Sequence, residues 1–368
     1  MREIYFDNAA TTRVTKPVLD VALPFLTEDY GNPSSVHSMG RIAKDAINLA
    51  RVTCAKAINA KPEQIFFTSG ATESNNIVCR EFEYVLKSPY EHPSVAGVSW
   101  DDFNTSLNKM ERYGVTRGLV CCQTANSEIG SVFNVRSYAD RTHNAGYKFM
   151  TDATQAFSHM RIDVKAMNCD FLSLSAGKFH GFKGTGLLYI KDPDEFIKSA
   201  THLNVGGSQE NGLRSGTENV AGIVAMGKAM TLYNYDPIVS EMHYRLKQTL
   251  ITGLAKRCPV EFRVNEIKGL KTLNNICNIS FKGINGESLA RLLDYDGFIV
   301  STKSACKSGS SEPSKVLKAI DTPDDYLFGA IRISFSEETD TGVVGMLVNA
   351  ICEKISVLIK INDWRNER

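Results

Sequence analysis

The sequence predicts an α/β chain: a large domain with a mainly parallel sheet flanked by helices, followed by a smaller α+β domain. Two observations carry this. Short apolar runs alternate with stretches of helical spacing through most of the 368 residues, as buried parallel strands joined by helices do. Beyond about residue 234 the pattern changes to a long charged helix, short strands and an apolar terminal helix. The predicted extents are 14–233 for the large domain and 234–368 for the small one, joined by the N-terminal segment 1–13.

From about residue 37 to 59, Met39, Ile42, Ala43, Ala46, Leu49, Ala50 and Ala57 recur at helical spacing. The run Ile65-Phe66-Phe67 reads as a strand leading through Thr68-Ser69-Gly70-Ala71-Thr72-Glu73 into another helix. Further strands are expected at 118–122, 147–150, 171–174 and 186–190, and in the second domain at 276–281, 298–300 and 331–335. The terminal helix carries Val344, Leu347, Val348, Ile351, Ile355, Leu358 and Ile359 on one face.

Composition excludes several classes. With 42 basic against 41 acidic side chains, neither nucleic acid nor an anionic membrane is indicated as a partner. No apolar run near the length of a membrane span is read, and Met1-Arg2-Glu3-Ile4-Tyr5-Phe6-Asp7 lacks a signal-peptide stretch. A cytoplasmic setting is expected. The nine cysteines show no C-x-x-C pairing, which argues against a disulfide framework or a metal site. Most lie among apolar neighbours, as in Leu119-Val120-Cys121-Cys122, and read as buried thiols.

The chemistry-bearing residues follow strands. Asp152 ends the run beginning at Tyr147, and Lys178 follows Phe171-Leu172-Ser173-Leu174-Ser175. That pair is what pyridoxal phosphate (PLP) chemistry needs: a carboxylate to keep the pyridine nitrogen protonated, and an amine to form a Schiff base. Each residue also has a plainer reading, Asp152 as a helix cap and Lys178 as a surface charge. On the PLP reading, Gln155 would hydrogen-bond the cofactor's phenolic oxygen. Thr68 to Thr72 forms a turn whose N–H groups and hydroxyls suit a phosphate, although a simple N-cap would look the same. His92, ahead of Pro93, is a ring-stacking proton relay or a structural histidine. Cys306, with Lys303 and Lys307 nearby and Ser308-Gly309-Ser310-Ser311 after it, has a nucleophile's surroundings. Arg332 interrupts a buried strand, either to grip a carboxylate or to close a salt bridge.

Taken together, these segments resemble the cysteine desulfurases of the class V aminotransferase family, in the nitrogenase and iron–sulfur-assembly branch. The matching phrases, in order, are Tyr5 to Thr12, Gly31-Asn32-Pro33-Ser34-Ser35, Phe67 to Asn75, Glu91-His92, Glu128-Ile129-Gly130 and Asp152-Ala153-Thr154-Gln155. Lys178, Arg214 to Asn219, Ser304-Ala305-Cys306 and Glu312-Pro313-Ser314 complete the set.

The resemblance implies a fold-type I PLP-dependent transferase acting as a homodimer, with residues 1 to about 13 packed on the C-terminal domain. Lys178 would carry the cofactor, Asp152 and Gln155 its ring, and Ala71, Thr72 and Ser175 its phosphate, with Thr217 supplied by the partner subunit. Ser127 would stand at the cofactor, His92 would stack on the ring, and Asn32 and Arg332 would bind substrate. L-cysteine would become L-alanine, with a persulfide on Cys306 passed to a sulfur-acceptor protein, a scaffold or a thiolation enzyme. The competing expectations are a PLP-dependent aminotransferase or lyase, and a non-catalytic paralogue acting as a partner protein. The chain departs from the family at Gly177 (usually His), Ser127 (usually Asn), Lys303 (usually Gly) and Ser336-Glu337 (commonly Gly-Arg), and 92–126 is shorter than usual.

Overall fold

The computed structural model describes residues 3–201, 205–302 and 312–366. Its strands are, in chain order, β1 Ile4–Tyr5, β2 Ile65–Thr68, β3 Tyr84–Lys87, β4 Val98–Ser99, β5 Gly118–Cys121, β6 Lys148–Asp152, β7 Phe171–Ser175, β8 Gly186–Ile190, β9 Phe262–Val264, β10 Ile276–Phe281, β11 Phe298–Ile299 and β12 Ala330–Ser334. The chain divides into two compact units, 12–125 with 133–235, and 1–11 with 126–132 and 236–368.

The larger unit holds a seven-stranded sheet in the order β2-β8-β7-β6-β5-β3-β4. Only β8 runs antiparallel to its neighbours; β7, β6, β5, β3 and β4 pair in parallel. β2, β5 and β8 are buried along their whole length, which is why they read as unbroken apolar runs. β3 is less covered: of its apolar run Tyr84-Val85-Leu86 only Leu86 is fully buried, and no strand is expected there from the sequence. Because β2, β3, β5, β6 and β7 all point one way, their C-terminal ends share one edge of the sheet. Loops at that edge are where open α/β sheets place ligands.

The helix Ser38–Ala57 buries Ala43, Ile47, Ala50 and Cys54 and packs on the helix Val220–Leu232. A side chain at Gly227 would meet Ala50 Cα at 3.2 Å, so the small residue sets the approach of the two helices. Ile42 and Leu49, which belong to the same helical spacing, are 45% and 70% exposed.

In the smaller unit β12-β10-β9 form an antiparallel sheet and β1 pairs in parallel with β11. The segment 126–132 groups here rather than within 14–233, because Val132 N–H donates to Lys271 O and Leu273 N–H to Gly130 O. Phe6 is fully buried among Ile279, Ile331, Phe335, Leu347 and Ile351. The helix Thr341–Asn366 corrects one expectation: its stretch Thr341–Ile361 is long and apolar enough to cross a membrane by length and composition. Its stripe Val344, Leu347, Val348, Ile351 and Ile355 is buried in this unit's core, which is the packing of a core helix.

Candidate active site

Lys178 closes a three-residue 3₁₀ turn, Ala176–Lys178, that continues β7. Buried Thr12 clamps this turn from both sides. Its N–H and hydroxyl donate to Gly177 O at 2.9 and 3.2 Å, and its oxygen accepts His180 N–H at 2.7 Å. The Lys178 backbone is therefore fixed between two tied neighbours, with Gly177 serving through its carbonyl.

Asp152 ends β6 with both carboxylate oxygens engaged. Oδ1 accepts Thr154 N–H at 3.0 Å and Oδ2 accepts Asn75 Nδ2 at 3.1 Å. The same Asn75 Nδ2 donates to Ser94 Oγ at 2.9 Å, and Ser94 Oγ lies 2.7 Å from His92 Nδ1. Burial lowers the His92 pKa from the ordinary imidazole value; Asp152 pulls it back up and Lys178 adds to the lowering. His92 thus feels the charges of Asp152 and Lys178.

The loop after β3 is tied to the end of β5. Glu91 Oε1 accepts Gln123 N–H at 2.5 Å, and Gln123 Nε2 donates to Tyr90 O. Glu91 Oε2 is buried without a partner. Burial pushes the Glu91 carboxyl up to about 8, against the Gln123 hydrogen bond and helped by Asp152.

The helix Ala71–Cys79 opens at Gly70 with no side-chain cap. Gly186 pairs with both Thr68 and Ser175, and a Cβ on it would fall 2.4 Å from Gly70 Cα. This contact holds the helix start against the end of β7, so Ala71, Thr72 and Ser175 come together. Gln155 is buried. Thr217 is exposed, and Asn32 is an exposed turn residue whose Oδ1 accepts Ser34 N–H at 2.9 Å.

Ser127 and Arg332 belong to the smaller unit. Arg332, 1% exposed, pairs through Nη2 with Asp7 Oδ1 at 2.6 Å and donates from Nη1 to Ser127 O at 2.8 Å. Its Nε is buried without a partner. The salt bridge left open by the sequence is therefore formed, and Asp7 is its acid. Cys306 and its neighbours Lys303 and Lys307 lie outside the described residues. The eight described cysteines are free thiols; burial pushes Cys54 up to about 12 and Cys277 to about 11, so both are inert at neutral pH. No group of side chains fit to hold a metal ion occurs among the described residues. Sequence reasoning assigned no role to Thr12, Asn75 or Ser94, although the first two stand inside its matching phrases.

These residues fit PLP. An uncapped helix start joined to Ser175 offers N–H and hydroxyl donors for a phosphate, while Asp152, held by two donors, is preset to face a protonated ring nitrogen. Lys178 is the amine of the same cluster.

A model of the aminotransferase class-V family matches residues 4–94 and 99–344. The cysteine desulfurase IscS of Methanosarcina thermophila is 36% identical over 382 residues, covering 97% of this chain and 93% of that protein. Among solved structures, a NifS-like protein matches with a TM-score of 0.83 at 30% identity, over 97% of this chain and all 100% of the other. SspA in complex with cysteine matches with a TM-score of 0.75 at 29% identity, over 90% of this chain and 98% of that one. The chain belongs to the aminotransferase class-V family, on its cysteine desulfurase branch. Its mixed sheet flanked by helices is the fold-type I architecture that the resemblance implied.

Proposed function

We propose that this chain is a PLP-dependent cysteine desulfurase that converts L-cysteine to L-alanine and leaves the sulfur as a persulfide on Cys306. The observation that carries the reading is the Lys178–Asp152–His92 cluster, each member held at the C-terminal edge of the sheet. Bound PLP supplies an electron sink that acidifies the substrate Cα–H and lets the sulfur depart. Lys178 anchors the cofactor and moves the Cα proton, Asp152 keeps the ring nitrogen protonated, and Gln155 meets the phenolic oxygen. Ala71, Thr72 and Ser175 hold the phosphate, and Ser127 reaches the cofactor. Arg332, preset by Asp7, anchors the substrate carboxylate, with Asn32 as its polar companion. The Cys306 thiolate takes the sulfur: the Cβ–S bond breaks, an S–S bond forms, and Cβ gains a proton.

The persulfide passes to a sulfur-acceptor protein of iron–sulfur cluster assembly or thiolation. The working form is a homodimer in which Thr217 serves the partner's phosphate site. Exposed Leu19, Leu23, Leu26, Tyr30, Ile42 and Leu49 support such an interface. The free thiols support a reducing, cytoplasmic setting.

The test is product stoichiometry. Protein given L-cysteine and a thiol reductant releases alanine and sulfide in equal amounts. Lys178→Ala loses both products and the visible cofactor absorbance, by about 10²-fold or more in rate. Cys306→Ala keeps the absorbance and loses sulfur transfer. Sulfide accompanied by pyruvate instead of alanine would sink the reading.

A further inference from the structure

We propose that Asn75 and Ser94 form a hydrogen-bonded relay that locks His92 as the Nε2–H tautomer and couples it to Asp152. The directions of the bonds are fixed by chemistry. Ser94 N–H, which can only donate, points at His92 Nδ1 at 3.2 Å, so Nδ1 is an acceptor. The Ser94 hydroxyl, 2.7 Å from the same nitrogen, must then also donate to it. The hydroxyl oxygen receives Asn75 Nδ2–H at 2.9 Å, and Asn75 gives its second N–H to Asp152 Oδ2 at 3.1 Å. An ionised carboxylate only accepts, so Asp152 settles which way the Asn75 amide faces.

The chain therefore runs from Asp152 through Asn75 and Ser94 to His92 Nδ1, each donor facing one acceptor. With Nδ1 occupied by two donors, the ring proton is confined to Nε2. Protonating Nδ1 would set it donor to donor against the Ser94 N–H and force the Ser94 hydroxyl to turn its own proton away. The charges that act on the ring are Asp152 from β6 and Lys178 from the turn after β7, Glu91 next in sequence being held protonated by burial, and burial lowers the His92 pKa in the same direction as the relay. Asn75 and Ser94 are positioning residues: they act through His92 and Asp152. Asn75 is fully buried with its Oδ1 unpartnered, a cost that its two donated bonds offset.

Nitrogen-15 NMR of histidine-labelled protein tests this without turnover, with the His92 signals assigned by their loss in His92→Gln. Wild type is expected to show neutral His92 protonated at Nε2. Ser94→Ala should shift the tautomer ratio toward Nδ1–H by roughly three- to tenfold, the size of one lost hydrogen bond, and move the His92 titration upward. Ser94→Thr keeps the hydroxyl and the wild-type pattern. Asn75→Leu, which does not touch the ring, should shift the ratio in the same direction. Wild-type His92 protonated at Nδ1, or Ser94→Ala indistinguishable from wild type, overturns the lock; unchanged His92 signals in Asn75→Leu overturn the coupling. Only the catalytic meaning of the relay rests on the desulfurase reading, and product analysis decides that separately.

Discussion

Glu91 gives one carboxyl oxygen to Gln123 N–H and leaves the other buried without a partner. Its folded pKa of about 8 stands above the ordinary 4.5, so the folded state holds a proton that the unfolded chain has released. The stabilisation is fully present below pH 4.5 and is lost as pH rises through about 8. His92 has the opposite sign: with its pKa lowered from 6.5, its contribution is present above that value and is lost as pH falls. Glu91→Gln keeps the acceptor for Gln123 and removes the ionisation. Urea unfolding at pH 6 and pH 9 should show the variant gaining roughly 1–3 kcal/mol on wild type between the two. A constant difference across that range would refute the assignment. Arg332 carries a different lesson at this scale. A strand-interrupting arginine announces a charge partner without naming it, and Asp7, far away in sequence, supplies it.

The strands most legible from sequence are those buried on both faces, since an apolar run is the direct trace of two-sided burial. β3 is not among them: of Tyr84-Val85-Leu86 only Leu86 is fully buried. The helix Ser38–Ala57 was legible as a helix, but its exposed Ile42 and Leu49 share the spacing of its buried residues, and periodicity cannot say which apolar side meets the core. The start of the helix Ala71–Cys79 depends on a contact no local pattern reveals, the approach of Gly186 to Gly70. Gly186→Ala places a methyl 2.4 Å from backbone that cannot yield cheaply. The expected outcome is a loss of about 1–3 kcal/mol in thermal unfolding, with weaker retention of PLP on dialysis. Unchanged values for both would mean that the strand and helix are not held by this contact.

For the whole molecule, the exposed apolar side chains between Leu19 and Val52 cluster in the first helices of the larger unit. Leu49 is 70% exposed, so Leu49→Glu should leave the fold within about 0.5 kcal/mol of wild type. In sedimentation velocity the wild type should run as a dimer and the variant as a monomer. A variant that remains dimeric would remove this surface from the interface. The grouping of 126–132 with the C-terminal unit belongs to this scale too. It is set by backbone pairing with residues 271–273, which composition does not encode.

By itself the sequence determined the fold class, because buried strands leave apolar runs, and it singled out Lys178, Asp152, His92 and Cys306 as candidates, because they stand in ordered phrases whose chemistry needs those residue types. The tertiary structure decided how the described groups are held. Thr12 reaches Gly177 across 165 positions, Asn75 reaches Asp152 across 77, and Asp7 reaches Arg332 across 325. A hydrogen-bonding residue looks alike whether it meets water or a distant partner, so only folding turns these side chains into parts of the site.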